Sequence, residues 1–136
     1  MYKNILIPIA GDEAARTDKA IAVAHAIKDA DASITLLHVT ERIPSFVESY
    51  IPQDIRDRGH KDAVDMLKAI EARSSDPIKH VVTVGHGGQS IVDFAADHGI
   101  DCIVISSHRP ELQDVVFGST AAYVVRHAPC AVHVLR

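Results

Sequence analysis

The chain lacks tryptophan, holds only 4% aromatic residues and two cysteines, and has no excess of positive charge. It also contains no apolar run near the ~20 residues that crossing a bilayer requires. Two cysteines cannot build a disulfide framework, and Cys102 and Cys130 both sit in apolar, strand-like surroundings. They are expected as buried, reduced thiols. With 14 Lys and Arg against 18 Asp and Glu, the net charge is −4. Neither nucleic acid nor an anionic membrane is therefore an expected partner. The sequence opens on strand-like residues, so neither a leader nor a location outside the cytoplasm is expected.

What remains is ordinary globular composition: 136 residues, 47% hydrophobic and 24% charged. That length suits one domain, 1–136, with room for a real core.

Apolar runs alternate with helical patterns. Strands are expected at Asn4–Ile9, Ser33–Thr40, Lys79–Val84, Cys102–Ile105 and Cys130–Leu135. Pro8 suits the last residue of a strand better than its middle. Helical spacing begins at Ala15, with Ala20, Ala24 and Ile27 on one face, and ends near Lys28 before an Asp29-Ala30-Asp31 turn. A second helix runs from about Gln53 to Arg73 on Ala63, Met66, Leu67 and Ile70, and Gly59 should weaken or bend it. A third begins with Gly88, Ile91, Val92 and Ala95, and Gly99 stops it as the C′ residue. A fourth carries Ala121, Val124, Val125 and Ala128, with Arg126 and His127 at the negative end of its dipole. Strict alternation of strand and helix implies parallel strands joined by right-handed crossovers.

Two connections stand out. Glu41 to Ile51 holds Pro44, Phe46, Tyr50 and Ile51 without clear periodicity. It is expected to fold over a site or partner, or to tuck onto its own domain. Gly85-His86-Gly87-Gly88 looks like a phosphate loop but lacks a P-loop's Lys-Ser/Thr ending. A strand-to-helix turn needing positive φ accounts for it more simply.

The stretch Asp101–Thr120 organises the rest. A strand buried on both faces breaks into Ser106-Ser107-His108-Arg109-Pro110, and Gly118-Ser119-Thr120 then opens a helix. Unpaired N–H groups and the positive end of a helix dipole converge there, which suits an anion. Simple capping of the helix is the alternative. Ala10-Gly11-Asp12 would meet Ser106–Arg109 over a central crevice if the first and fourth strands are neighbours. Ser107 beside His108 does not make a nucleophile–base pair, because neighbours on an extended segment point apart. His127 and Cys130 have ligand-like spacing without a second pair to complete a zinc site. No catalytic or metal-binding set is thus expected.

NILIPI at the start, LLHV in the second strand, G-x-G-x3-I-x3-A from Gly85 to Ala95, and GSTAAYVVRHAPCAVHV from Gly118 resemble the universal stress protein family over essentially the whole chain. The resemblance implies a five-stranded parallel α/β sandwich of the adenine nucleotide alpha hydrolase-like kind, strand order 3-2-1-4-5. It also implies pairing into homodimers through the last strand, with a tetramer as a further step.

Nucleotide-binding members carry G-x2-G-x9-G-(S/T) after strand four and an Asp closing strand one. Here Ser106 and Arg109 stand at the two glycines, Gly118 and Ser119 match the final pair, and the spacing is one residue short. Ala10 stands at the Asp position, Asp12 is a partial substitute, and Val39 matches the position whose backbone meets adenine. The S-H-R-P form is similar to a branch in which nucleotide binding is still expected. Phosphates would then meet the N–H groups near Gly118 and Ser119, the Ser119 and Thr120 hydroxyls, His108 and Arg109. Val39 and the Pro8–Ala10 edge would flank adenine and ribose. The resemblance thus implies a stress-response regulatory protein binding ATP, AMP or a related nucleotide, with Mg²⁺ as a possible companion and hydrolysis slow or absent. The alternative is a nucleotide-free dimeric interaction protein, which Ala10 and the two lost glycines favour.

Overall fold

A computed structural model of the chain describes residues 1–10, 14–107 and 118–136, with Ala14 and Ala15 as backbone alone. The strands are β1 (Tyr2–Pro8), β2 (Lys28–Glu41), β3 (Lys79–Gly85), β4 (Cys102–Ser106) and β5 (Ala131–Leu135). They form one parallel sheet ordered β3-β2-β1-β4-β5. The helices are α1 (Ala14–Ile27), the single turn α2 (Ser45–Glu48), α3 (Gln53–Ala72), α4 (Gly87–Asp97) and α5 (Ser119–His127). Both the α/β class and the strand order follow expectation.

Alternating side chains of the central strands feed two cores. Ile5, Ile7, Ile34, Leu36 and Val104 pack against Ala20 and Ala24 of α1 and Leu67 and Ile70 of α3. Leu6, Leu37, Ile103 and Ile105 pack against Ile91 and Ala95 of α4 and Ala121 and Val124 of α5. A strand with both faces covered reads as an unbroken apolar run, which is why ILI and CIVI show no polar alternation. Val125 departs from its expected place on the inner face of α5 and is 46% exposed.

Three further expectations need correction. The Asp29–Asp31 turn lies within β2, which starts at Lys28. Pairing with β1 jumps from Tyr2↔Lys28 to Asn4↔Ser33, so the polar stretch is taken up as an irregularity rather than a chain reversal. Gly59 leaves α3 uninterrupted over its 20 residues, and a Cβ there would meet nothing within 4 Å. Gly85, Gly87 and Gly88 do not have positive φ; among the described glycines only Gly99 does, at 63°. Close packing demands small residues at two of them instead. A Cβ on Gly88 would lie 2.9 Å from the Tyr123 side chain, and one on Gly85 only 2.2 Å from Ser90 Oγ. Finally, Cys130 is half-buried, whereas Cys102 is buried as expected; both are free thiols.

Gly99 does end α4 as the left-handed C′ residue, and Ile100 N–H returns to Ala95 O at 3.0 Å. That bond from the residue after the glycine is the Schellman closure. The Glu41–Ile51 segment leaves β2, makes the single turn α2 and buries none of its residues there. Phe46 and Tyr50 are 72% and 85% exposed. The tucked alternative therefore fails for these two rings.

One feature of the sheet prepares a site. The β1–β4 ladder holds only Ile5↔Cys102 and Leu6↔Ile103. Its lower end is stitched by Asp101, whose carboxylate accepts the N–H groups of Lys3 and Asn4 at 2.8 and 2.9 Å. Beyond Leu6, β1 stays with β2 as far as Pro8↔Leu37, while β4 stays with β5 as far as Ser106↔Leu135. The two central strands thus part at their carboxyl ends, where chain order reverses and open sheets place their ligands.

Candidate ligand-binding cleft

That parting opens into a cleft of about 410 Å³, within the ordinary size of small-molecule sites. Pro8, Ile9 and Ala10 form its β1 wall, and Leu37, His38, Val39 and Glu41 its β2 wall. Ile105, Ser106 and Ser107 come from the end of β4, and Gly118–Ala121 from the start of α5. Arg16, Thr17 and Ala20 of α1 and Gly87 and Ile91 of α4 complete the lining.

Seven expected site residues, Pro8, Ala10, Val39, Ser106, Gly118, Ser119 and Thr120, therefore line one space. Asp12, His108 and Arg109 lie outside the described residues. The condition set for the crevice, adjacency of the first and fourth strands, is met.

The local bonding says what each wall can offer. Ile9 N–H continues the ladder to Leu37 O at 2.8 Å, and the His38 ring Nδ1 lies 2.9 Å from Ile9 O. A carbonyl only accepts, so His38 donates from Nδ1 and ties the end of β1 to β2. Across the cleft, Ser107 N–H and hydroxyl both donate to Leu135 O, at 2.8 and 3.1 Å. Its hydroxyl is thereby committed to structure, and a nucleophile at Ser107 is not supported. Ser107 O in turn accepts Gly118 N–H at 3.3 Å.

Gly118 is the N-cap of α5, so no side chain caps this helix. The capping alternative for Ser119 and Thr120 therefore fails; both sit inside the first turn. Their N–H groups, with that of Ala121, belong to the turn that no intrahelical carbonyl satisfies. With φ −60° and ψ 153°, Gly118 has a backbone that any residue adopts. Among the described residues, a Cβ on it would find Ser107 O at 3.8 Å as its nearest neighbour. None of these residues requires glycine here. What it leaves is bare backbone facing the cleft.

Glu41 was not among the expected site residues. Its carboxylate accepts Gly87 N–H at 3.0 Å, at the first turn of α4, and lies 3.7 Å from His86 Nδ1. Thr17, which is buried, and Arg16 reach the cleft from the first turns of α1. Glu41 follows Val39 by two residues, so strand period alone places both on one side of β2. No comparable signal marks His38, Arg16 or Thr17. Among the described residues, no three His, Cys, Asp or Glu side chains gather as a metal site.

An open parallel sheet flanked by helices, with a cleft where its two central strands part, defines a doubly wound α/β protein with a small-molecule-sized site. The chain belongs to the universal stress protein family, whose match spans residues 1–136. It is 31% identical over 142 residues to universal stress protein G of Escherichia coli O157:H7, covering 100% of both chains. It superposes on the universal stress protein UspA of Lactobacillus plantarum with a TM-score of 0.80 at 29% identity, over 99% of this chain and 98% of that one. A family member from Arabidopsis thaliana, solved with AMP bound, shares the fold at a TM-score of 0.62 and 16% identity, over 98% and 90% of the two chains.

Proposed function

We propose that this universal stress protein is a regulatory module of one domain that binds an adenine nucleotide in the cleft between β1 and β4, with little or no hydrolysis. The observation that carries this reading is the meeting of Ala10, Val39, Ser106 and Gly118–Thr120, distant in sequence, around one cleft. In this reading the adenine and ribose lie along Pro8–Ala10 and Val39. The phosphate meets the N–H groups and hydroxyls of Ser119 and Thr120, where helix donors and dipole favour an anion. Asp12, His108 and Arg109 belong to the same proposed site by sequence. AMP bound to the Arabidopsis relative is consistent with that class of ligand.

Among the described lining residues, the Ser107 hydroxyl is already bonded to Leu135 O and the Glu41 carboxylate is engaged by Gly87 N–H. This supports binding without efficient turnover. Mg²⁺ would arrive with the nucleotide, since Glu41 is the one carboxylate among the described lining residues. We further propose a cytoplasmic homodimer paired through β5, an edge strand of the sheet.

A nucleotide-free interaction protein is the second reading. Ala10 in place of a carboxylate favours it, and so does the exposure of Phe46 and Tyr50. Isothermal titration with AMP and ATP separates the two, together with chromatography of any nucleotide released on denaturing the purified protein. Saturable binding supports the first reading. No heat and no retained nucleotide leave the second.

A further inference from the structure

We propose that Glu41 makes the cleft select by charge, favouring an adenine monophosphate over the metal-free triphosphate. The inference rests on the nucleotide reading above and adds the ligand's charge to it.

Three observations converge. Gly87 stands between Glu41 and the start of α5: a Cβ built on it would lie 3.2 Å from Glu41 Oε1 and 3.4 Å from Thr120 Oγ1. The carboxylate and the hydroxyl proposed to meet phosphate therefore flank the same small gap. Second, the carboxylate is held there. It accepts Gly87 N–H at 3.0 Å from the first turn of α4, where the helix dipole favours negative charge. It is thus a built-in anion already seated at one of the helix starts that border the cleft. Third, positive and negative charge are balanced among the described lining residues. Among the described lining residues, Arg16 is the one cation and Glu41 the one carboxylate.

A phosphate chain anchored at Ser119 and Thr120 therefore lies close to a fixed negative charge. The repulsion grows with the charge carried, and a free triphosphate carries about twice that of a monophosphate. At such separations, with solvent present, the difference is expected to be about fivefold in affinity. Glutamine at position 41 removes the charge but keeps an oxygen that accepts Gly87 N–H, so the start of α4 stays satisfied.

The test is calorimetric titration of wild type and Glu41→Gln with AMP and with ATP, both in EDTA at low ionic strength. Thermal unfolding of the two proteins accompanies it to establish that both are folded. The expected result is a wild-type preference for AMP of about fivefold that shrinks toward unity in Glu41→Gln. The shrinkage should come mainly from tighter ATP binding. Both nucleotides bound, with the ratio unchanged by the substitution, overturns this inference and leaves the nucleotide reading standing. No binding of either nucleotide to either protein overturns both.

Discussion

The hydroxyl of Ser107 donates to the carbonyl of Leu135 at 3.1 Å, joining the end of β4 to the end of β5 over 28 residues of sequence. The same carbonyl also accepts Ser107 N–H at 2.8 Å, so this corner of the cleft is fixed twice. Ser107 is buried, and removing its hydroxyl deletes one of the two bonds without exposing the other. Ser107→Ala is expected to cost about 1 kcal/mol, read as a lower urea midpoint at unchanged slope. No change in midpoint would count against a structural role for the hydroxyl.

Gly118→Val separates binding from folding. The backbone at 118 is already extended, and among the described residues the nearest neighbour of a new Cβ is Ser107 O at 3.8 Å. Stability should stay within about 0.5 kcal/mol of wild type. AMP affinity should fall at least about tenfold, because the side chain covers backbone proposed to approach phosphate. Retained affinity in calorimetry places the ligand elsewhere.

The glycines of α3 and α4 should behave oppositely when given a methyl group. Gly88→Ala drives a Cβ to 2.9 Å from the Tyr123 side chain, an overpacking expected to cost about 1–3 kcal/mol. Gly59→Ala meets open space and should stabilise the protein by about 0.5–1 kcal/mol through helix propensity alone. Chemical denaturation of the two variants side by side checks both signs.

Burial pushes the Cys102 thiol up to about 11, with Cys130 and Asp101 adding to the rise. The folded state favours the neutral thiol. Its stabilising effect is therefore complete below the ordinary value of 9.0 and is lost as pH climbs through about 11. Because the thiolate is the reactive form, native Cys102 should resist iodoacetamide at pH 8 and react once urea unfolds the chain. Peptide mass spectrometry reads the two cysteines separately. Rapid native alkylation of Cys102 at pH 8 would contradict its burial.

Pairing through β5, an edge strand of the sheet, should give a homodimer with a mass twice that of the 14.7 kDa chain by light scattering at micromolar concentration. A monomer at every concentration removes this part of the proposal.

Strands that are apolar on both faces, separated by helices with one apolar stripe, made most of the fold legible. Ile5–Ile7 and Cys102–Ile105 announced themselves because both of their faces are covered. The start of β2 did not: Asp29, Ala30 and Asp31 have turn composition, and only pairing with Tyr2 shows that the chain stays extended. Gly85 and Gly88 were recognisable as special positions, but the reason was hidden. Ser90 and Tyr123 stand close to them in space, and crowding looks the same as positive φ in a sequence.

In the cleft, backbone contributors such as Gly118 were legible from the strand–loop–helix pattern. Arg16, Thr17 and His38 were not, because helix and strand positions carry no mark of facing a cavity. Glu41 came between these cases. The sequence placed it at the start of the Glu41–Ile51 connection, whereas β2 runs on to Glu41 and sets it on the same side as Val39.

Gly118 N–H and Ser107 O meet at 3.3 Å, so the chain on either side of residues 108–117 is moored at two adjacent posts. With the two flanks tied this closely, a change in the length of the chain between them need not move β4 or α5. The one-residue difference from the pattern of nucleotide-binding relatives is then a change of fitting rather than of frame. Exchanging these ten residues between family members would leave the Ser107–Gly118 tie in place as the common frame.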